Sequence, residues 1–534
     1  MEQSYHWSPL TQLRLTLVLF PLMLLCSTYI NLHAQSPQRL WSTLFVGNNV
    51  DILTSVSRDV NGDFYFGGYS KSTTGFASGK QSYEDFWIMK VDKRGKFRWH
   101  HFFDPGLTNY GTRLAVSPSG VSHLAGISSL IGPLTTEISI TSFGPYGDQH
   151  ETWWYGGSNN EFLHNIIPLH DGAKLLLGET SSTDGDVSYR FSSDYDAWVV
   201  RVSPGSAIKW ESSFGGRLRD RAFDAIELAD SSILVIGTIE QEELDFQGRQ
   251  VRSWETPILR KYAWNGFLLW EKEFEQSIGS EGKHIEQLND TVAVIAGRIR
   301  ASNTATPCAY KKSNVWVAGV HTRTGKILWW DCVGSNGDDN VDALAVDSSG
   351  NLLMKLTAEA NDGDFMAIPF FDPLYDWIFS YTPPTAPSEE LKLNWGMIVL
   401  EPTNLSTPIN VRDLAVSGDS IIMCGGTKLS DESRVDGWIG LYTNPLASTS
   451  PEATTITESP SFAVQYDPQS LRIQLNKRSE QAFFLFDIAG RTIRRVDIPS
   501  GLPTLFIQTS DLPHGTYILS LRTDSGWESK TIHL

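Results

Sequence analysis

Cysteine and histidine are scarce in this chain, which has 534 residues but only four cysteines and twelve histidines. No Cys-x-x-Cys pair occurs, and the cysteines after residue 34 lie too far apart to form a zinc site. Those three, Cys308, Cys332 and Cys424, are an odd number, which excludes a fully paired disulfide framework. Cys308 and Cys332 could form a disulfide after export or remain two buried thiols, and the sequence leaves both open.

Positive charge is also in deficit, because 43 Lys and Arg face 61 Asp and Glu, a formal net charge of −18. Binding of nucleic acid needs a basic surface, so nucleic acid is excluded as a partner. The sequences GxSxG, HExxH and GxGxxG are absent, and residues 75–82 have one residue too few between their glycines for a phosphate loop. His164 and His170 flank a predicted strand without a third ligand. We therefore predict no catalytic residue and no cofactor.

Long apolar runs are missing except at residues 13–26, which are too few for a membrane span. Arg14 lies at the start of this run, and Ala34 offers a small residue for cleavage after it. The pattern predicts a signal peptide over residues 1–34, an exported mature chain and no transmembrane segment after cleavage.

Tryptophan, in contrast, is abundant at 18 residues, and it recurs about every 54 to 66 residues on a strand that follows a tight turn. In the third unit Trp198, Val200 and Val202 share one face of the preceding strand, as Ile208 and Trp210 do on the next. A ligand site would not need these aliphatic neighbours, whereas sheets packed against each other would. We assign ten tryptophans to such cores: Trp41, Trp87, Trp99, Trp198, Trp210, Trp270, Trp316, Trp329, Trp395 and Trp438.

Counting the repeated strands gives seven units, with third strands near 85–91, 136–142, 196–202, 256–262, 314–320, 375–380 and 436–442. The last unit lacks a tryptophan-bearing fourth strand, and the first such strand stands alone near Trp41. We predict an all-β, seven-bladed propeller over residues 35–446, monomeric, in which residues 39–46 complete the blade of residues 411–443.

Acidic loops are the remaining hint of a ligand. Asp184 and Asp186, and likewise Asp362 and Asp364, lie in equivalent loops and could offer oxygen ligands to calcium. We favour solvated turns in which each Asp bonds its own backbone, because no bidentate Glu follows. Three further acids precede third-strand tryptophans and are predicted to cap the strand entrance: Asp85, Asp196 and Asp436.

The composition changes after the propeller. Residues 447–461 are rich in Ser, Thr and Pro and predict a linker. Residues 462–534 contain short alternating strands with Asp and Gly turns, which predicts a small Ig-like β-sandwich.

Two resemblances add to this interpretation. The propeller repeat resembles the tryptophan repeats of the quinoprotein-like class, nearest at "TRTGKILWW" (322–330), and the "GG…D…W…G…W…FGG" repeats of secreted and surface proteins of Bacteroidetes. Residues 462–534 resemble the type A C-terminal sorting domain of the type IX secretion system, although they end with one lysine where that family has two. The motif residues are Asp487, Gly490, Arg491, Leu512, Pro513, Gly515, Tyr517 and Lys530.

The sorting resemblance implies passage through the periplasm, recognition by the type IX translocon through residues 462–534, and release or attachment at the outer-membrane surface. Together these features predict a non-enzymatic propeller that binds an extracellular protein or glycan. The alternative is a polysaccharide-active or other hydrolytic enzyme, which three or more acidic or histidine groups at the channel mouth would favour. A quinone-dependent dehydrogenase is disfavoured, because that class usually has eight blades and vicinal cysteines.

Overall fold

The computed structural model describes most of the propeller and the strands of the C-terminal segment. The predicted signal peptide (1–34) and linker (447–461) lie outside the described residues. The described residues are 37–446, with gaps at 79–83, 107–108, 130–134, 193, 275–278, 301–307, 309–311, 361, 366–375, 400–408 and 429–433, and the strands within 462–533.

Strands dominate the described residues, and seven four-stranded antiparallel sheets form the blades of a propeller. A lone outer strand comes first in the chain, β1 (Arg39–Phe45). Blade 1 contains β2 (Asp51–Arg58), β3 (Phe64–Ser70), β4 (Asp85–Val91) and β5 (Phe97–Phe103). Blade 2 contains β6 (Asn109–Val116), β7 (Ser122–Ser128), β8 (Glu137–Phe143) and β9 (Gln149–Tyr155). Blade 3 contains β10 (Glu161–Pro168), β11 (Lys174–Thr180), β12 (Asp196–Val202) and β13 (Ile208–Phe214).

The next four blades follow the same order, and blade 4 has the longest middle strands. It contains β14 (Arg221–Glu227), β15 (Ile233–Leu244), β16 (Gln250–Tyr262) and β17 (Leu268–Glu273). Blade 5 contains β18 (Ser280–Asn289), β19 (Val292–Arg300), β20 (Ser313–His321) and β21 (Ile327–Val333). Blade 6 contains β22 (Asn340–Val346), β23 (Leu352–Thr357), β24 (Trp377–Thr382) and β25 (Lys392–Ile398). Blade 7 contains β26 (Ile409–Ser417), β27 (Ser420–Thr427) and β28 (Asp436–Thr443). Two 3₁₀ turns, Gly75–Ala77 and Gly363–Phe365, are the helical segments described.

The ring is closed by the N-terminal strand. β1 pairs antiparallel with β28, from Arg39 opposite Tyr442 to Phe45 opposite Gly437, and so becomes the outer strand of blade 7. Phe45 also packs edge-on against Trp87 of blade 1, with ring centroids 5.2 Å apart. The predicted seven-bladed, all-β propeller is confirmed, and its first and last strands share one sheet.

The tryptophans lie between blades. Four of those on third strands are at most 1% exposed: Trp87, Trp198, Trp316 and Trp438. Several on fourth strands are covered by the hairpin of the next blade. Gly266, at a positive φ of 87°, lies so close to the Trp210 ring that an added Cβ would be 2.6 Å from it. The Trp210 Nε1 also donates to the Trp264 carbonyl at 3.1 Å. The same glycine-on-indole contact joins Gly95 to Trp41, Gly147 to Trp99 and Gly325 to Trp270.

Cys308 and Cys332, for which the sequence left both a disulfide and two free thiols open, form a disulfide with a Cα–Cα distance of 5.5 Å. Cys424 is buried and free. The bond connects the chain before β20 to β21, within blade 5.

The C-terminal segment forms two antiparallel sheets. One has the order β29-β30-β33 and the other β32-β31-β34-β35. The predicted Ig-like packing of these sheets stays a prediction. The strands are β29 (Phe462–Asp467), β30 (Ser470–Leu475), β31 (Ala482–Asp487), β32 (Thr492–Asp497), β33 (Thr504–Gln508), β34 (Thr516–Thr523) and β35 (Gly526–His533).

Candidate functional site

A central channel runs through the ring, and the first strand of every blade lines it. Its cavity has a volume of about 750 Å³ and is bounded by residues of β2, β6, β10, β14, β18, β22 and β26. A volume of this size is typical of small-molecule sites, which lie in the range of about 300–1,000 Å³. The channel is therefore the candidate functional site.

Each of these inner strands carries a β-bulge at the same position. The pairing register slips there, so an extra residue is inserted without a partner in the ladder. A bulge re-aims side chains, and six of the seven inserted residues line the channel wall. In β6 the inserted Thr112 is buried, and Arg113 after it lines the wall. We call the inserted residues the bulge ring: Thr54, Thr112, His164, Phe223, Lys283, Asp342 and Arg412.

In several blades the residue after the bulge ties one blade to the next. The Asp224 carboxylate of blade 4 accepts the Ile285 N–H of blade 5 at 3.1 Å, and also the Asn165 amide of blade 3 at 2.9 Å. The Asp413 carboxylate of blade 7 accepts the Val56 N–H of blade 1 at 2.9 Å. These carboxylates thus help hold the ring together from inside the channel.

Three carboxyl groups of the channel influence each other. Burial, followed by the charges of Asp224 and Asp413, raises the pKa of Glu286 to about 8. Burial likewise raises the pKa of Asp224 to about 7 and that of Asp413 to about 6. At neutral pH, Glu286 is mostly protonated and can donate a hydrogen bond.

Ion pairs surround the channel over blades 3 to 6. Arg219 binds Glu179 through two N–H···O contacts of 2.6 and 2.7 Å, and His164 Nε2 lies 3.3 Å from the same carboxylate. Further pairs join Arg221 to Glu255 at 2.9 Å, Lys283 to Glu281 at 3.1 Å, and Lys355 to Asp376 at 3.1 Å and to Asp342.

The two histidines singled out in the sequence both line this cavity, but they make different contacts. His164 belongs to the bulge ring, and burial lowers its pKa. His170 follows β10 and pairs with Glu227 through an Nδ1–Oε2 distance of 3.3 Å. Each histidine therefore has a glutamate partner rather than a metal-ligand set.

The four calcium candidates lie outside the channel, in loops that contact the turn after a preceding fourth strand. Asp184 accepts the Ser158 N–H at 2.7 Å and Asp186 accepts the Gly156 N–H at 3.2 Å. In blade 6, Asp362 and Asp364 accept the N–H groups of Asn336 and Gly334 at 2.8 and 2.9 Å. These bonds go to the backbone of the preceding loop rather than to each residue's own turn, and calcium at these residues stays a prediction. Within the described part of the chain, no group of three or more His, Cys, Asp or Glu is arranged to hold a metal ion.

The acids before the third-strand tryptophans are buried at strand entrances. Asp436 accepts the Gly47 N–H at 3.1 Å and pairs with Arg434 at 2.9 Å. Asp196 accepts the Ser192 hydroxyl at 3.0 Å. Asp85 is 4% exposed.

The sorting motif is described only in part. Asp487 ends β31, Tyr517 is buried in β34, and Lys530 lies in β35. The other motif residues lie outside the described residues: Gly490, Arg491, Leu512, Pro513 and Gly515.

Sequence reasoning missed the residues that line the channel, notably Arg113, Asp224, Glu286, Arg412 and Asp413. Their signal was weak but present, because each lies at or after the extra residue that interrupts alternation in a first strand. Superimposing the seven first strands at the bulge would have brought Arg113, Asp224 and Asp413 into one column.

Comparison with known proteins gives a fold and little else. No protein-family model matches this chain, and no curated protein matches it. Among solved structures, the chain is similar to the β-propeller domain of the Trilobed protease from Pyrococcus furiosus, with 8% identity over 72% of this chain and 93% of that one, at a TM-score of 0.40. It is also similar to Sqt1 from Chaetomium thermophilum, with 12% identity over 74% and 87% of the chains, at a TM-score of 0.40.

A third similar structure is a protein of unknown function from Dyadobacter fermentans, with 8% identity over 76% of this chain and 99% of that one, at a TM-score of 0.38. At such identities these likenesses concern the propeller fold alone and give no argument about activity. In the described residues, no helix is long and apolar enough to cross a membrane.

Proposed function

We propose that this protein is an exported, non-enzymatic binding propeller whose ligand enters the central channel. The observation that carries the proposal is the polar channel of about 750 Å³, lined by residues from all seven inner strands. Export rests on the signal-peptide pattern of residues 1–34, and passage by type IX secretion rests on the motif of residues 462–534. The ligand is an extracellular glycan or protein segment.

Binding is favoured over hydrolysis by how the channel carboxylates are used. Glycoside hydrolysis generally needs two carboxyl groups, one as acid and one as base or nucleophile. Both oxygens of Asp224 and both oxygens of Asp413 already accept hydrogen bonds, from partners that include N–H groups of neighbouring blades. Glu227 and Asp342 also line the channel, and they pair with His170 and Lys355. Among the described residues this leaves Glu286 as the lining carboxyl outside an ion pair, and one such group can act on a ligand.

A binding screen tests the proposal. The full chain, applied to an array of glycans and extracellular proteins, should retain at least one ligand. Replacing Arg412, whose exposed side chain lines the channel, by Trp should block that binding by narrowing the cavity. The exposed Ala207→Trp variant is the matched control and should bind normally. A ligand bound equally by both variants, with thermal unfolding unchanged, would place binding elsewhere and refute a channel site.

A second candidate, a glycan-hydrolysing enzyme, is favoured by one observation. A carboxyl with a pKa of about 8, as Glu286 has, is suited to act as a general acid near neutral pH. Glycans retained in the screen should then be shortened on incubation, and Glu286→Gln should stop the cleavage while binding persists. Under our proposal no cleavage occurs with either chain.

Export has its own test. A chain that ends at Ser461, expressed in a bacterium with type IX secretion, should accumulate in the periplasm, because the proposed translocon signal is gone. Cell fractionation measures its location, with the full chain as control. If the shortened chain reaches the surface or medium as the full chain does, residues 462–534 are not the sorting signal.

A further inference from the structure

Arg113 brings an under-neutralised positive charge into the channel. It follows the bulge of β6 and lines the cavity. Its Nη1 donates to the Thr112 carbonyl at 3.0 Å, which uses one of five N–H donors. In the described part of the chain no carboxylate oxygen lies within ion-pair distance of this guanidinium. Burial lowers the pKa of Arg113, so the surroundings disfavour the charge that it carries.

Several other cationic side chains around the channel differ from Arg113, because each has a carboxylate partner. Arg221, Lys283 and Lys355 each lie within 3.1 Å of a carboxylate oxygen. Placing a charge away from water without a partner is costly, and this chain meets that cost at the neighbouring positions by pairing. The guanidinium of Arg113 is thus oriented for something other than blade-to-blade pairing.

Asp413 and Asp224 do not form an ion pair with Arg113. Asp413 and Asp224 influence the charge of Arg113, but their oxygens accept the N–H groups of Val56 and Ile285. Moving either carboxylate to Arg113 would leave buried backbone donors unpaired, which costs about 1–3 kcal/mol each. The acids are therefore held by the ring itself.

A second guanidinium lies in the same cavity. Arg412 is the bulge-ring residue of blade 7, and its side chain is exposed to the channel. Among described residues it has neither an ion pair nor a side-chain hydrogen bond. Two arginines without carboxylate partners in one cavity indicate a ligand that brings the negative charge.

The rest of the cavity fits a hydroxylated ring. Phe223 lines the wall, with its ring centroid 4.6 Å from that of His164. Asn165 and Glu286 add polar groups around it. An aromatic side chain packs on the apolar face of a sugar, and such polar groups can bond its hydroxyls.

We propose that the channel binds an acidic sugar, a ring with hydroxyls and one carboxylate, and that Arg113 binds this carboxylate through two N–H donors. Arginine is suited to this because its planar fork matches the two carboxylate oxygens. Arg412 contributes a second positive charge in the same cavity. This inference rests on the proposed function and names the class of ligand for the same channel.

Calorimetric titration of the full chain with glucuronate, its uncharged methyl ester and glucose tests the inference. Glucuronate should bind, and the ester and glucose should bind at least about tenfold more weakly, because the ion pair is lost. Arg113→Gln should weaken glucuronate binding at least about tenfold, and Arg113→Lys, which keeps the charge but not the fork, should weaken it less. Arg323→Gln, at an exposed site beyond β20, is the matched control and should bind normally.

The outcomes separate this inference from the proposed function. Equal binding of glucuronate and its ester, or undiminished binding by a folded Arg113→Gln variant, overturns the acidic-sugar inference. If glucuronate fails but another ligand from the screen is blocked by Arg412→Trp, the inference fails and the channel proposal stands. If no ligand is blocked by that variant, the channel proposal fails. Should Arg113→Gln not fold, the ester and Arg113→Lys decide the question.

Discussion

Replacing Trp41 and Phe45 together by alanine is expected to open the propeller ring and lower its stability more than any single-residue change in a blade interior. Both side chains belong to β1, which closes blade 7, and both pack into the core shared with blade 1. A fully buried Phe or Trp replaced by Ala costs about 3–5 kcal/mol. Trp41 and Phe45 are half-buried, so each change should cost less than this. Thermal and urea unfolding of the full chain would measure the loss.

The matched control lies on the same strand. Leu40 is 54% exposed, so Leu40→Ala should leave the unfolding midpoint almost unchanged. If the double variant unfolds at the wild-type midpoint, β1 does not hold the ring, and closure depends on the other six blade interfaces. A broadened transition in the double variant would show that blades then unfold separately.

Lys174→Met is expected to stabilise the protein, which is the reverse of most core substitutions. Lys174 is 1% exposed in β11, and its Nζ has no hydrogen-bond partner in the described structure. The equivalent position holds an apolar residue in three other blades: Phe64, Ile233 and Leu352. Replacing a buried ion pair with packed apolar residues is often neutral or stabilising by about 1–4 kcal/mol. The unpaired Lys174 amine has no such attraction to lose, so we expect a gain of about that size.

The pH dependence of this stabilisation tests whether the buried charge of Lys174 is its cause. Burial lowers the pKa of Lys174 to about 8, below its ordinary value of 10.5. Below pH 8 the Lys174 amine is charged in both the folded and the unfolded state, so the wild-type protein carries the full free-energy cost of burying this charge. Between pH 8 and 10.5 the amine is neutral in the folded state and still charged in the unfolded state. The wild-type protein therefore becomes more stable as the pH rises through this range. The difference in melting temperature between Lys174→Met and wild type should therefore narrow from pH 7 to pH 9.5.

An exposed lysine supplies the control for this experiment. Lys209→Met, on β13, should change the melting temperature little at either pH. A Lys174→Met protein that is less stable than wild type at pH 7 would mean that the amine is satisfied by a bound water or that the site rejects the methionine side chain.

Much of the fold could be predicted from the spacing of the tryptophans. Trp198 and Trp210 recur with their aliphatic neighbours in several units, because each sheet buries both faces against neighbours and needs the same large side chain each time. The pairing of the N-terminal strand at Trp41 with the last blade could also be predicted from the sequence. When the chain begins with an outer strand, its last unit lacks that strand, and the two complete one blade. Repetition makes such packing visible in one chain.

The channel could not be found in the same way. Its residues differ from blade to blade, with Arg113, Phe223 and Asp342 at or beside equivalent bulges, so they form no pattern along the chain. Their proximity arises only when the ring closes. The sequence search also looked for acids in the loops, and the structure uses Asp184 and Asp362 there to bond backbone.

The bulges give the channel an unusual freedom to change. A bulged residue has no partner in the ladder, so replacing it alters the wall of the cavity without altering the sheet that carries it. The tryptophan interfaces would stay as they are while the chemistry of the channel is exchanged one position at a time. Relatives of this protein could thus recognise quite different molecules with seven codons changed, and engineered receptors could be built by the same route.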